Sequence, residues 1–389
     1  MRVLQIHNLY REPGGEEVTA NTNAALLREG GHEVDRLLVR NPDRPLTAMR
    51  LLAVAPWNVA QADTVRRRVL DSRPDVAHVH NTWFALSPSI LHALHAERVP
   101  IVMSLHNYRL MCANASLFRD GKVCTDCVGS HPWWGVVHRC YRGSALASTA
   151  AAATIALNRA RGTWDLVSRF DVPTEFVKRV FVSAGLPADR LSVNPRAVAD
   201  PGRRRQPPSG SQTVLYAGKL APHKGIGLLL DAWREAAASI PQLELVVVGD
   251  GPLRAELDSQ AFDRVRFLGW EDVEGVKQTM LSARAVVVPS QWYEVVGRVA
   301  LEAFAAGLPV LASDIGGLGE VVAELGPECL VAPDDRDAWA AALTQLGDDA
   351  SVDAMGARAR QIFERRYTNE ICLRHLLALY ESVTSAKTS

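Results

Sequence analysis

Short apolar runs bounded by glycine, proline or polar clusters alternate with stretches whose apolar positions recur at three- and four-residue spacing. In the first half, Val3 to Ile6, Glu33 to Val39, Val76 to Val79 and Ile101 to Leu105 predict strands, with helical patterns between most of them. A second alternation supplies Thr213 to Ala217, Leu243 to Val248, Val265 to Leu268, Ala285 to Val288 and Val310 to Ala312. Period-2 or continuous apolar runs interleaved with period-3.6 patterns predict parallel βαβ units with helices on both sheet faces. From Leu191 to Val214 the rhythm breaks in a stretch with four prolines, two glycines and three successive arginines, which predicts an interdomain linker. Late helices are expected over Asp337 to Leu346 and over Asn369 to Val383, the latter with Leu373, Leu376, Leu377 and Tyr380 at helical spacing.

The expected organisation is an N-terminal domain over 1–198 with a cysteine-rich insertion at about 108–143, and a linker over 199–212. A second domain over 213–368 and a C-terminal helix over 369–389, packed back on the first domain, complete it. A chain of 389 residues, 48% apolar, has material for two cores. Equal numbers of basic and acidic side chains, 43 of each, give no basic field, which disfavours nucleic acid as a partner. Met1 and Arg2 lead directly into the first strand without a signal-peptide pattern, so a cytoplasmic protein is expected. Ala145 to Leu157 is too short for a membrane span and reads as a packed helix. Arg66 to Arg68 and the Arg159, Arg161, Arg169 group leave peripheral contact with an anionic inner membrane face open. Oligomeric state is not legible.

Candidate chemistry gathers where strands end. Glu294 falls in the loop after the Ala285 to Val288 strand, and Glu302 falls in the helix that Gly297 opens. Both carboxylates can therefore border the crevice outside the strand ends, where open α/β sheets bind ligands. After the Tyr216-Ala217 strand end, Gly218-Lys219-Leu220-Ala221-Pro222-His223-Lys224-Gly225 carries two lysines that could converge on a diphosphate as point charges. Gly14 and Gly15 precede a helix in the first half, where unhindered amides can approach an anion. His106 follows a first-half strand, and His78 and His80 lie at another strand end. Each signal has a plain structural reading too: a tight turn, a solvated lysine, a core histidine.

Taken together and in order, the residues resemble glycosyltransferase family 4, the retaining GT-B enzymes. The resemblance rests on Gly218-Lys219…Lys224-Gly225, Gly249-Asp250-Gly251-Pro252, Phe267…Gly269, Pro289-Ser290, Glu294-x7-Glu302 and Gly316-Gly317…Glu320. Pro13-Gly14-Gly15, His106 and Val193-Asn194-Pro195 supply matching landmarks in the first half. It implies two doubly wound Rossmann-like domains facing across a cleft, and a nucleotide-diphosphate sugar, UDP- or GDP-linked, as donor. By that resemblance Gly14 and Gly15 meet the donor diphosphate, Lys219 and Lys224 neutralise it, Leu268 contacts the base and Glu302 accepts from the ribose. Glu294 and the amides around Val295, Val296 and Gly297 hold the sugar and phosphate, and His106 bonds the sugar. Lys219 stands where arginine is usual, and Val295-Val296 where an aromatic or proline is frequent.

The implied reaction retains anomeric configuration and needs neither a covalent nucleophile nor a catalytic cofactor, since cations and helix amides stabilise the departing diphosphate. No Asp-x-Asp metal signature lies in these loops. The acceptor expected first is a polysaccharide, cell-envelope glycan or glycolipid, with a small-molecule natural product as the alternative. Readings from other classes are a glycoside hydrolase using Glu294 and Glu302 across a scissile bond, and a non-catalytic nucleotide-binding module. A dehydrogenase is disfavoured by the lack of a G-x-G-x-x-G after any strand.

Four of the six cysteines cluster as Cys112-x11-Cys124-x2-Cys127-x12-Cys140, a spacing that could hold a structural zinc ion, with free thiols as the other reading. The same insertion carries Trp133, Trp134, His131, His138 and Tyr141 and could shape the acceptor side.

Overall fold

The computed structural model describes residues 1–10, 14–260 and 262–385. In chain order the strands are β1 (Arg2–Leu9), β2 (Glu33–Arg40), β3 (Val76–Asn81), β4 (Ile101–Ser104), β5 (Phe118–Arg119), β6 (Lys122–Val123), β7 (Arg169–Val172) and β8 (Leu191–Val193). They continue as β9 (Thr213–Ala217), β10 (Glu244–Val248), β11 (Val265–Gly269), β12 (Ala285–Val288), β13 (Val310–Ser313) and β14 (Leu330–Val331). All but β5 and β6 fall into two parallel six-stranded sheets, ordered β2-β1-β3-β4-β7-β8 and β11-β10-β9-β12-β13-β14.

The chain divides into two units. The first comprises Met1–Leu117, Cys124–Ala197 and the chain from Cys372 onward; the second comprises Val198–Ile371 together with Phe118–Val123. In each sheet the strand order reverses once, next to β1 in the first and between β9 and β12 in the second. At such a reversal the flanking loops diverge and leave room outside the carboxyl ends of the strands.

The first sheet is buried along β3 and β4, where Val76, Val79, Val102 and Met103 have lost their water contact. The C-terminal helix Asn369–Thr384 lays Leu376, Leu379, Tyr380 and Val383 against Val3, Leu27, Val76 and Val102. Fully covering a side chain such as Leu376 is worth roughly 1.5–3 kcal/mol, so this last helix contributes directly to the first unit's core. The second sheet is covered by helices that include Ile226–Ala236 and Arg336–Gln345, and Trp233 and Trp339 are its largest buried side chains.

Five strands escaped the sequence pattern. β5, β6, β7, β8 and β14 are two to four residues long and lack the continuous apolar run that marks the equally short β4, β12 and β13. The stretch read as the start of a linker therefore begins as β8, paired with β7, and Asn194 and Arg196 just after it are tied into the first unit. Farther along, Arg204 donates to the carbonyls of Met280 and Ala283 and Ser209 bonds Asp353, so the proline-rich segment is fastened to the second unit. Proline and glycine mark irregular backbone there, not freedom from tertiary contact.

Candidate functional site

In the second unit the loops after β9, β12 and β13 meet at the switch point. Gly225 has φ of +71°, and a Cβ there would come within 1.7 Å of the Pro289 carbonyl oxygen, so only glycine lets these two loops touch. The Gln291 amide donates to the His223 carbonyl at 2.9 Å, and the Gly317 amide donates to the Glu294 carbonyl at 2.7 Å. Gly316, at φ +64°, packs on the Glu294 backbone at a distance that admits no side chain.

This frame aims the Glu294 carboxylate at Lys224. The Lys224 ammonium donates to Glu294 Oε1 at 2.5 Å and the Ser290 hydroxyl donates to the same oxygen at 2.9 Å. Glu294 is 9% exposed. Burial opposes its charge, yet Lys224 and Ser290 together hold its carboxyl below the usual range. The Lys224 ammonium also lies 5.1 Å from the centre of the Trp292 ring. His223 packs edge-on against Trp292 and Phe118, and burial plus the Lys224 charge hold it down to about 4, so it is neutral at pH 7.

The next helix, Arg298–Ala305, is entered through Gly297 at φ +66° and ψ +64°, with no side-chain cap. Its first amides have no acceptor within the helix and provide an anion-binding end. Glu302 takes an ion pair from Arg298 at 2.9 Å, and burial raises its carboxyl despite that partner. Arg298 escaped the sequence reading; its i, i+4 spacing from Glu302 was the available signal. Val295 and Val296 are half-buried in the loop leading to Gly297.

Lys219 is exposed, and its carbonyl accepts from the Tyr216 hydroxyl at 3.0 Å. Leu268 lies half-buried on edge strand β11, packed on the second unit's core. The structure thus pairs Lys224 with Glu294, three residues before the Gly297 helix entrance.

In the first unit Gly14 and Gly15 open the helix Gly15–Glu29, whose N-terminus carries no side-chain cap. A Cβ at either glycine would meet nothing within 4 Å, so the space before this helix end is open. Pro13 and the rest of 11–13 lie outside the described residues. One turn in, Glu16 accepts from the Asn107 amide, while its Oε2 is buried without a partner among the described residues and burial raises the carboxyl to about 7.

His106 belongs to a buried array that the sequence showed only in part. His80 Nε2 faces the Gln5 side-chain amide at 3.2 Å, and that amide also donates to the Ala20 carbonyl at 2.7 Å. Nitrogen is therefore the Gln5 atom facing His80, so His80 Nε2 accepts and its Nδ1 carries the proton. His80 Nδ1 then donates to His106 Nε2 at 3.0 Å, with the rings stacked at 5.3 Å. His106 is left with its proton on Nδ1, available as a donor. Burial and the neighbouring charges hold both rings well below the ordinary histidine range.

A parallel chain runs from the Tyr380 hydroxyl to His78 Nδ1 at 2.7 Å, and from His78 Nε2 to the Ser104 oxygen at 2.8 Å. Ser104 in turn donates to Asp171 at 2.6 Å. Burial opposes the Asp171 charge, but Arg196 at 3.0 Å, with help from Asn194, keeps it ionised. His7, held down to about 4 by burial and Arg36, completes the group. Asp171 and Arg196 sit on and after the strands that the sequence pattern missed, which is why neither was legible.

Cys112, Cys124, Cys127 and Cys140 carry free thiols. Among the described residues no group of three or more His, Cys, Asp or Glu side chains is arranged to hold a metal ion. Burial, together with Cys112, Cys140 and Cys124 near enough to act on it, raises the Cys127 thiol to about 12, so the four cysteines of the cluster are neighbours in the fold.

Residues 13–200 match the family described as Glycosyltransferase Family 4, and residues 211–349 match Glycosyl transferases group 1. A phosphatidyl-myo-inositol mannosyltransferase of Mycolicibacterium smegmatis is 28% identical, over 96% of this chain and 92% of that protein. A 2-deoxystreptamine N-acetyl-D-glucosaminyltransferase of Streptomyces fradiae is 29% identical, over 72% of this chain and 64% of that protein. Among solved structures, Anabaena HepE in complex with UDP superposes with a TM-score of 0.68 at 18% identity, covering 98% of this chain and all of that one. Sucrose-phosphate synthase from Thermosynechococcus elongatus gives 0.71 at 19% identity, covering 99% of this chain and 100% of that one. The shared fold is GT-B.

Proposed function

We propose, from the premise that this chain is a family 4 glycosyltransferase of GT-B fold, that it moves a sugar from a nucleoside-diphosphate sugar to an acceptor hydroxyl with retention of configuration. The observation that carries this reading is the Lys224–Glu294 ion pair at the switch point, set beside the uncapped helix entrance at Gly297. A carboxylate already paired with Lys224 and bonded by Ser290 is a poor general acid. It is a good fixed acceptor for sugar hydroxyls.

In this reading Lys224, Lys219 and the helix amides around Val295, Val296 and Gly297 stabilise the charge that grows on the leaving diphosphate. Glu294 orients the sugar, and Glu302, aligned by Arg298, accepts from the ribose. Leu268 walls the base. Gly14 and Gly15 offer amides to the diphosphate, and His106 offers Nδ1–H to the sugar. Two lysines do the electrostatic work that a divalent ion would do elsewhere, so turnover is independent of added metal.

UDP sugars are favoured because the HepE structures in complex with UDP and with UDP-glucose share this fold. The phosphatidyl-inositol mannosyltransferases, similar along nearly the whole chain, favour a glycolipid or envelope glycan as acceptor. The test is a screen of UDP- and GDP-sugars for consumption, with the anomeric configuration of the product read by NMR. A retained α-linkage from an α-donor is expected. An inverted product, or consumption that requires a divalent cation, would overturn the mechanism.

A further inference from the structure

The chain carries two kinds of cysteine. Cys329 and Cys372 are buried within apolar clusters, where a thiol serves as a small hydrophobe. Cys112, Cys124, Cys127 and Cys140 lie in the insertion at 108–143, and Cys124 and Cys140 are half-exposed, so packing does not account for the four.

The insertion has little regular structure to hold it: β5, β6 and the four-residue helix Trp134–Val137. Ala115, Leu117, Asp120, Arg139 and Arg142 nevertheless take left-handed backbone, more than half of the nine non-glycine residues that do so among those described. Such backbone persists only where its surroundings over-determine it.

One peptide draws three of the cysteines together. The Gly135 carbonyl accepts from the Cys140 amide at 2.9 Å, and the Gly135 amide bonds the Cys127 sulfur. A Cβ at Gly135 would come within 2.7 Å of the Ala113 side chain, so glycine lets this turn close on the residue next to Cys112. Cys124 is joined to Cys127 by a tight turn in which the Val128 amide donates to the Thr125 carbonyl at 2.8 Å. The backbone thus converges four thiols from three separate stretches of chain on one place, and each of the other three is near enough to act on the Cys127 thiol.

We infer that Cys112, Cys124, Cys127 and Cys140 bind a zinc ion as a closed structural site that cross-links the insertion. Four thiolates at one point match the ligand type and coordination number of such a site. As thiols, no three of them are arranged to hold an ion; zinc takes the place of their protons, and rotation about χ1 brings the sulfurs to it. Each thiol gives its proton to solvent as its sulfur–zinc bond forms. Arg159, which feels the Cys127 charge, and Arg139 and Arg142, which flank Cys140 in sequence, offset the excess negative charge that results. The site uses none of the residues assigned to the donor, so it stands apart from the transferase reading.

The test is elemental analysis of the full chain, purified without chelator or immobilised metal, paired with thiol titration of the native protein. About one zinc per chain is expected. Cys124 and Cys140, although half-exposed, should react with a disulfide reagent roughly tenfold or more slowly than after a zinc chelator is added, with no reductant present. Cys124→Ser and Cys140→Ser should each lose most of the zinc, whereas His138→Gln should keep it. Circular dichroism checks the fold of these variants, and wild type carries a second readout: metal-free protein given Co2+ should develop the sulfur-to-cobalt absorption of a tetrahedral thiolate site. Absence of zinc together with absence of that absorption overturns the proposal. So does full zinc content in both serine variants. Thiols released by reductant and not by chelator would overturn it in favour of disulfides, and iron with inorganic sulfide would overturn it in favour of a cluster.

Discussion

The two units use their switch points in opposite electrostatic ways. In the second, function-bearing groups stay charged through pairing: Lys224 with Glu294, Arg298 with Glu302. In the first, His7, His78, His80 and His106 stay neutral through burial, and one deep ion pair, Asp171 with Arg196, anchors the array. The same sheet architecture thus supports two kinds of polarity. A site that must stabilise a developing diphosphate needs fixed charge. A site that must donate one hydrogen bond to a neutral hydroxyl needs a fixed tautomer, which the Gln5–His80–His106 relay supplies.

The sharpest way to break the comparison is Glu294→Ala, which removes the acceptor for the sugar and leaves Lys224 without its partner. Turnover is expected to fall about 100- to 1,000-fold, in line with the loss of a preorganised polar group. A change smaller than tenfold in steady-state assays would remove Glu294 from the site.

Lys224→Ala comes next and carries a signed pH effect. With the ammonium gone, burial still raises the Glu294 carboxyl and less opposes it, so its folded pKa moves up. The acid limb of the pH–rate profile should shift to higher pH, on top of a loss of about tenfold or more at pH 8. An acid limb that stays in place would show that the pair does not control the site's ionisation.

Glu302→Ala tests the neighbouring pair with a smaller effect. Loss of a charged acceptor for ribose hydroxyls costs about 1.5–3 kcal/mol, or roughly 10- to 150-fold in nucleoside diphosphate affinity. Because burial raises the Glu302 carboxyl, wild-type affinity should already decline as pH drops toward the upper carboxylate range. Calorimetric titration at several pH values reads both.

The histidine array gives the mildest signal, and it concerns stability. His7 and His78 fall from 6.5 to about 4 on folding, so between those values the unfolded chain binds more protons. Their contribution is complete above about pH 6.5 and is lost as pH falls toward about 4, by at most about 1.4 kcal/mol per pH unit for each ring. Urea unfolding of the first unit across this window should show the decline. A flat profile would mean these rings are hydrated.

How much of this was legible follows the same division. The second unit's candidate site is local in sequence: a strand end, a glycine-bounded lysine loop and two glutamates eight residues apart, so the sequence could offer Lys224, Glu294, Gly297 and Glu302 as candidates. The first unit's array is built from distant pieces, with Gln5 on β1, His80 on β3, Asp171 on β7 and Tyr380 on the last helix. Its members are joined only by tertiary packing, and β7, which carries Asp171, has no continuous apolar run to mark it. His106 was readable because it follows a strand; what fixes its proton was not. The cysteine cluster was legible from its spacing, and the fold brings Cys112, Cys124 and Cys140 near Cys127.

The central claim is that the second unit's switch point is a nucleotide-sugar clamp built around Lys224 and Glu294. Its most direct test is isothermal titration of UDP and GDP, with NAD as the control, into wild type and the Lys224→Ala variant. Saturable binding of one nucleoside diphosphate, at least tenfold weaker in the variant and not competed by NAD, is the predicted result. Absence of binding by both diphosphates, or equal affinity in the two proteins, would contradict it.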